Sequence, residues 1–394
     1  MTTLSDTIRE AAQRLGPDVV ALRRDFHRHP EIAFEEVRTS GIVAERLEPL
    51  GLTVRRNLGQ TGVVAVLDSG TPGKTVLVRA DMDALPMREE RDVPYRATTD
   101  DAMHACGHDG HTAVLLGVAQ LLSEQRDSFS GKVVFVFQPA EEIVGGAAAM
   151  LADGALEGLE PHASIGLHLS SQFPTGIVAV RDGPSMAATD AFTLQVHGHG
   201  GHAARPQETV DPVVAAAQII TGLQTLVSRE TDPLDSAVIS LTSVHGGSAH
   251  NIIPELVEIK GTLRSFRAET RQHLRERIAA LSDGIAQSFR ASTTLRWLNT
   301  SPAVVNDPAR TEQFREVARA VVGAEHVISP NPIMGGDDMA LWLEQAPGCY
   351  FFVGARNEAA GIDKPHHHPG FDIDEASLPL AVELLSKGVL SYLD

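Results

Sequence analysis

Nine consecutive residues, Met103-His104-Ala105-Cys106-Gly107-His108-Asp109-Gly110-His111, gather a thiol, three imidazoles and a carboxylate around two glycines. This is the composition of a metal site. Cys106 and His108 stand two apart, so a tight glycine-containing loop lets both converge on one cation, whereas a helix would make them diverge. A lone cysteine or histidine is usually a packed or solvated side chain, but this cluster favours a metal role for Cys106 and His108 over a structural thiol or a redox pair. His104 and His111 are weaker candidates. Further ligand types lie downstream, in Glu141-Glu142, His168 and the run His366-His367-His368.

The elements that must position these groups follow from the apolar pattern. Residues 63–67, 75–80 and 133–137 are short, β-branched or aromatic runs bounded by Gly, Pro or Asp, and read as strands. Segments after Gly110 and Gly146 read as helices. Strand-helix alternation of this kind predicts an α/β fold with a mostly parallel sheet covered on both faces, whose functional groups gather at the carboxyl ends of the strands. Asp81 and Asp83 follow one such strand, and Glu141-Glu142 follow another. The character changes near Pro184-Ser185-Met186. Strand, helix, strand, strand, helix and a final strand then fit a small α+β sandwich, ferredoxin-like in order. The expected division is a discontinuous catalytic domain, 1–185 and 300–394, with an insert over 186–299.

Composition removes several classes of function. At 394 residues the chain is long enough for two cores, and 33 basic against 51 acidic side chains give a net charge of -18. Such a surface repels nucleic-acid phosphate and anionic membranes, so neither is an expected partner. Residues 1–15 carry Asp6, Arg9, Glu10 and Arg14 without an unbroken apolar stretch, and residues 213–227 are interrupted by Gln218, Thr221, Gln224 and Thr225. Neither a secretory signal nor a membrane span is expected. Two distant cysteines make no disulfide framework, and a cytoplasmic location is the default expectation. Cys349, in a strand-like run, is expected to be a small core hydrophobe.

The motifs together resemble the di-metal aminoacylase and carboxypeptidase superfamily, in its amidohydrolase branch of hippurate hydrolases, auxin-conjugate hydrolases and N-acyl amino acid amidohydrolases. The resemblance runs through Asp25-Phe26-His27-Arg28-His29-Pro30-Glu31, Arg79-Ala80-Asp81-Met82-Asp83-Ala84-Leu85-Pro86, the Cys106 loop and Gln138-Pro139-Ala140-Glu141-Glu142. It continues in Gly200-Gly201-His202-Ala203-Ala204-Arg205-Pro206, Asn251-Ile252-Ile253-Pro254, Gly261-Thr262-Leu263-Arg264 and His367-His368-Pro369-Gly370-Phe371.

That resemblance implies two divalent ions, zinc or manganese with cobalt or nickel as alternatives, held by Cys106, His108, Glu142, His168 and His367. It implies Glu141 as general base, Asp81 orienting a ligand, and His202 reaching the active site of a partner subunit in a homodimer or dimer-based tetramer. Asn251 and Arg264 are implied to hold the substrate carboxylate, with Arg205 a weaker candidate, and Asp337-Asp338 is given no chemical role. The implied reaction is hydrolysis of an N-acyl amino acid by metal-activated water. A carboxypeptidase acting on short peptides would use the same parts, and a non-catalytic metal-dependent binding protein is the third reading. A zinc deaminase is disfavoured because its Pro-Cys-x-x-Cys pattern is absent.

Overall fold

In a computed structural model that describes residues 3–394, the first helix begins at a capping box. The Thr3 side chain accepts the Asp6 amide and the Asp6 side chain accepts the Thr3 amide. Residues 1 and 2, where the first expected catalytic segment begins, lie outside the described residues. From this helix, α1 (Leu4–Arg28), the chain runs through α2 (Val37–Leu47), β1 (Thr53–Leu58), β2 (Gly62–Asp68), β3 (Thr75–Asp81) and α3 (His108–Glu124). Next come β4 (Lys132–Gln138), α4 (Gly146–Ala152), β5 (Ala163–Pro174), β6 (Val178–Ala179) and β7 (Gly183–Met186). The following stretch holds β8 (Ala188–His197), β9 (Gly201–His202), α5 (Pro212–Thr225), β10 (Ala237–Gly246), β11 (Ile252–Ile253), β12 (Leu256–Ser265), α6 (Ala268–Ser288) and β13 (Ser292–Ser301). The chain closes with β14 (Val304–Asn306), α7 (Pro308–Val322), β15 (Val327–Ile328), α8 (Met339–Gln345), β16 (Gly348–Arg356) and α9 (Ser377–Leu393).

Contacts divide these elements into two units. The first comprises residues 3–185, 304–331 and 338–394; the second comprises Met186–Ala303 and Pro332–Asp337. The short return of 332–337 to the second unit has no signal in the apolar pattern, because it is held by backbone: the Ala187 amide donates to the carbonyls of Ile333 and Gly335.

An eight-stranded sheet in the order β1-β2-β4-β3-β5-β16-β6-β15 organises the first unit. Its centre, β4-β3-β5-β16, is parallel, while β1, β2 and the β16–β6 pairing are antiparallel. Alternation sorts the side chains of each central strand to opposite faces. Val76, Val78 and Ala80 of β3 and Val133, Phe135 and Phe137 of β4 join one large core with residues of α1, α3 and α9. Arg79, between Val78 and Ala80, does not belong to that core; it is buried with Gln138 and Asp338 as partners. Helix α3 is buried from His108 to Ala119, which explains why its sequence is apolar nearly all round.

The second unit is a four-stranded antiparallel sheet, β10-β12-β8-β13, with its own core. Leu194, Val196, Ile259 and Leu263 pack with Ile219 and Leu223 of α5 and Leu274 and Ile278 of α6. Helix α5 starts as its sequence dictates, with Asp211 capping the amides of Val213 and Val214 and Pro212 in the first turn. Among the described residues, no helix is long and apolar enough to cross a membrane.

Candidate active site

The carboxyl ends of the parallel strands bring the candidate ligands of the first unit together. Gly107, at φ 91, takes a conformation that residues with a side chain rarely adopt and turns the chain between Cys106 and His108, the first residue of α3. His108 donates through Nδ1 to the carbonyl of Asp83 at 2.9 Å, which leaves Nε2 facing inward; that atom is buried without a hydrogen-bond partner. His168, on β5, donates through Nδ1 to the carbonyl of Leu169 at 2.7 Å, and its Nε2 lies 3.5 Å from Cys106 Sγ. His367 is held at φ 64 by its amide, which donates to the carbonyl of Ala105 at 2.8 Å. Its Nε2 lies 3.4 Å from Glu142 Oε2, while Glu142 Oε1 is buried with no partner.

Ligand atoms within 4.8 Å of one another include three overlapping triads: Cys106, His108 and His168; Cys106, Glu142 and His367; and His108, Glu141 and Glu142. A buried polar atom left unpaired costs about 1–3 kcal/mol, so the bare Nε2 of His108 and Oε1 of Glu142 mark positions built to be filled. Thiolate, imidazole and carboxylate together suit a borderline or moderately hard divalent cation. The protonation tendencies divide: although burial opposes its charge, Asp81 and the Cys106 thiol hold His108 well above its ordinary range, so a cation there would have to displace a proton. Burial pushes the Glu142 carboxyl up to about 7 and drives the Cys106 thiol well above its ordinary value. Burial also depresses His168 and His367, favouring the neutral imidazoles that metals bind. Positive charge placed among these groups would return the thiol and carboxyl to their anionic forms.

Glu141 and Glu142 are separated by a strained turn. Ala140 at φ 52 and Val144 at φ 55 bracket the pair, both in a region disfavoured for residues with a Cβ. Asp83 reads the two amides in succession, Oδ1 accepting from Glu141 and Oδ2 from Glu142, each at 3.0 Å. The Glu141 carboxylate reaches to 3.9 Å from His108 Nε2, beside the ligand atoms.

Asp81 contacts none of the implied metal ligands within hydrogen-bond distance. Its carboxylate comes only to 3.8 Å from His108 and instead accepts from His111 Nδ1 at 2.6 Å and from Arg79 at 2.7 Å. Although burial opposes its charge, His108, Arg79 and His111 hold the carboxyl well below the usual range. His111 passes the constraint on, because its Nε2 accepts the Leu169 amide at 2.8 Å, next to His168. With both nitrogens engaged, His111 has no lone pair left for a cation. His104 is buried with neither ring nitrogen hydrogen-bonded, and burial lowers its pKa to about 4. Asp83, His111 and Asp338 are the groups whose roles the motifs did not reveal. Asp338 accepts from Arg79, from Gln138 at 2.6 Å and from the Ala147 amide. Of the neighbouring histidines, His366 accepts the Ser171 amide and packs edge-on against His168, and His368 accepts the Gly370 amide.

In the second unit, His202 and Asn251 are exposed and joined by local pairing. His202 lies opposite Ile252 in the β9–β11 ladder, and the Ala203 amide donates to the Asn251 carbonyl. The Ala204 amide donates to His202 Nδ1, leaving Nε2 directed outward. Arg264 is half-buried on β12, donating to Thr262 and Thr189 with no carboxylate in ion-pair contact among the described residues. It sits at the opposite end of that strand from the β10–β12 turn near Asn251. Eight residues of strand, at about 3.3 Å each, separate Leu256 from Arg264 by roughly 26 Å. This unit therefore brings His202 and Asn251 together and holds Arg264 apart from them.

The profile of peptidase family M20/M25/M40 matches residues 77–391. The chain belongs to this family. Among its relatives, the N-acetyl-L-cysteine deacetylase of Bacillus subtilis (strain 168) is 38% identical over 380 residues, covering 96% of this chain and 89% of the relative. Thermostable carboxypeptidase 2 of Saccharolobus solfataricus is 38% identical over 381 residues, 96% of each. The crystal structure of the Bacillus subtilis YXEP protein, a dinuclear metal binding peptidase, superposes with a TM-score of 0.81 at 34% identity, covering 96% of this chain and 98% of that one. As an M20-family member the protein is a hydrolase of amide bonds, and its clustered thiol, imidazoles and carboxylates belong to a centre for two divalent metals.

Proposed function

We propose that this M20-family protein hydrolyses N-acyl amino acids to a carboxylic acid and a free amino acid, in the cytoplasm, as a homodimer with zinc or manganese in its centre. The observation that carries the reading is that Cys106 is common to two ligand triads while Glu141 stands beside them with its backbone fixed by Asp83. Cys106, His108, Glu142, His168 and His367 would hold the ions. When bound, the ions would supply the chemistry of acidifying an attacking water toward neutrality. Glu141, beside the ligand atoms, would take a proton from the attacking water and later deliver it to the departing amine. His202 Nε2, outward and unobstructed within its own unit, donates to the oxygen of the scissile carbonyl as charge builds there. Arg264, with no carboxylate in ion-pair contact among the described residues, and Asn251 hold the carboxylate of the amino acid. Asp81 acts through His111 on the backbone beside His168.

The separation of Arg264 from His202 and Asn251 supports a dimer, since one insert alone does not present all three to one small substrate. A second reading, a carboxypeptidase cleaving short peptides, draws on the similarity to a relative of that name. Metal analysis of purified protein together with a panel of N-acyl amino acids and dipeptides decides between them. Turnover of acyl amino acids well above that of dipeptides is expected; the reverse order favours the carboxypeptidase, and no turnover of either in metal-loaded protein overturns both.

A further inference from the structure

We propose that Glu36 is a positioning residue for this hydrolysis, anchoring from the start of α2 the turn that separates Glu141 from Glu142. The inference rests on Glu141 being the general base. Glu36 stands where a side chain ordinarily caps its own helix, yet it makes no hydrogen bond to that helix and is fully buried. Its carboxylate is committed elsewhere. Oε1 accepts two amides, from Phe34 at 3.0 Å and from Ala140 at 2.9 Å, and Oε2 accepts the Thr61 hydroxyl at 2.5 Å.

The two amides belong to residues of the same unusual conformation, Phe34 at φ 65 and Ala140 at φ 52. A left-handed backbone at a residue with a Cβ persists only where its surroundings hold it there. One oxygen thus fixes two such residues at once, and both touch the Glu141-Glu142 turn. Ala140 opens it; the Phe34 ring lies against Gly145 at its close, 3.4 Å from where a Cβ would sit. Asp83 takes the next two amides, so residues 140, 141 and 142 point three consecutive N–H groups onto two carboxylates. Such a run lets neighbouring glutamates leave the backbone in different directions, one among the ligand atoms and one beside them. Asp83 also orients His108 through its carbonyl, whereas Glu36 touches none of the candidate ligands. Its influence on the reaction passes through the turn alone.

The test compares Glu36→Asp and Glu36→Gln with the parent, measuring kcat, KM and metal content in the full chain, with Glu141→Gln beside them. Aspartate keeps the charge but is one methylene too short to reach Ala140, and a misplacement of this size costs about 10²-fold in kcat, with KM within about threefold and metal content unchanged. Glutamine preserves all three contacts, its oxygen accepting both amides and its nitrogen donating to Thr61, so kcat within about threefold of the parent is expected. Parent-level kcat in Glu36→Asp overturns the proposal, as does a fall in step with lost metal. Should Glu36→Asp not fold, Glu36→Gln decides alone: a fall of about tenfold or more at full metal content overturns it. An active Glu141→Gln removes the underlying reading instead, whatever Glu36 does.

Discussion

The two units treat their functional side chains in opposite ways. In the first, His108, His168 and Glu141 are almost fully buried and each is fixed by a backbone hydrogen bond, from the ring or, for Glu141, from its own amide. In the second, His202 and Asn251 stand exposed on a ladder of two residues per strand, and Arg264 is held by hydroxyls alone. On the proposed reading, the groups that hold the ions and take the proton sit in the buried half, where side-chain entropy is lost on folding instead of during the reaction. The groups proposed to meet the incoming substrate are left on the surface. The contrast also separates loss of chemistry from loss of metal or of substrate positioning.

The largest effect is expected at Glu141. Glu141→Gln should retain both metals and lose about 10²–10⁴-fold in kcat, the range of a positioned general base; metal analysis beside steady-state kinetics checks it. His202→Ala should cost about 10²–10³-fold, as removal of one carbonyl-oxygen donor does, again with metals retained. Mixing the two inactive variants turns the contrast into a question of geometry. If the exposed histidine serves the partner's buried centre, exchanged subunits regain part of the parent activity. Continued inactivity after mass spectrometry confirms exchange would place His202 in its own chain's site.

Much of this contrast was legible before any coordinates. Strands at 63–67, 75–80 and 133–137 are readable because buried strands leave short β-branched runs, and the Cys106 loop because few other contexts gather such donors around glycine. The supporting hydrogen bonds are not. Asp83, Glu36 and His111 act on backbone amides far away in sequence, at 141, 142, 140 and 169, and an amide leaves no trace in a side-chain pattern. Asp338 has no role legible from its motif, because the resemblance departs at the Asp337-Asp338 pair. Only the folded chain reveals that its carboxylate closes a buried set with Arg79 and Gln138. The resemblance implies that Asp81 orients a ligand, but it does not say through which group; the hydrogen bond runs to His111, one turn along α3 from His108.

That relay gives a smaller effect within the rigid half. His111→Leu removes the link between Asp81 and the Leu169 amide while leaving every candidate ligand in place. Partners behind a metal ligand are commonly worth about 10–100-fold in metal affinity. Competition with a chelator should show a loss of that size, with activity restored by excess metal. Unchanged affinity would confine the relay to fold stability. Arg23 tests the same idea from another side: fully buried, it donates to Asp109 at 2.8 Å and to Asp372 at 2.6 Å, tying the start of α3 to the segment that follows His367.

The smallest effect concerns stability, and it distinguishes a carboxylate that works through its shape from one that works through its charge. Burial, with Asp83 nearby, raises the Glu36 carboxyl from 4.5 to about 7, against the pull of its hydrogen bonds from Thr61 and the Ala140 amide. Between those values the folded chain holds a proton that the unfolded chain has released, so the contribution of Glu36 to stability falls as pH rises through that window and is lowest above about 7. Glutamine cannot ionise and escapes this loss. In metal-free protein, Glu36→Gln should therefore match the parent near about pH 5 and exceed it by up to roughly 3 kcal/mol near about pH 8. Paired urea titrations at the two values measure the difference directly. A gap that stays flat would mean that the folded chain keeps Glu36 ionised throughout, and the turn beside Glu141 would then be held by a full charge, which Gln could not replace in the kinetic comparison either.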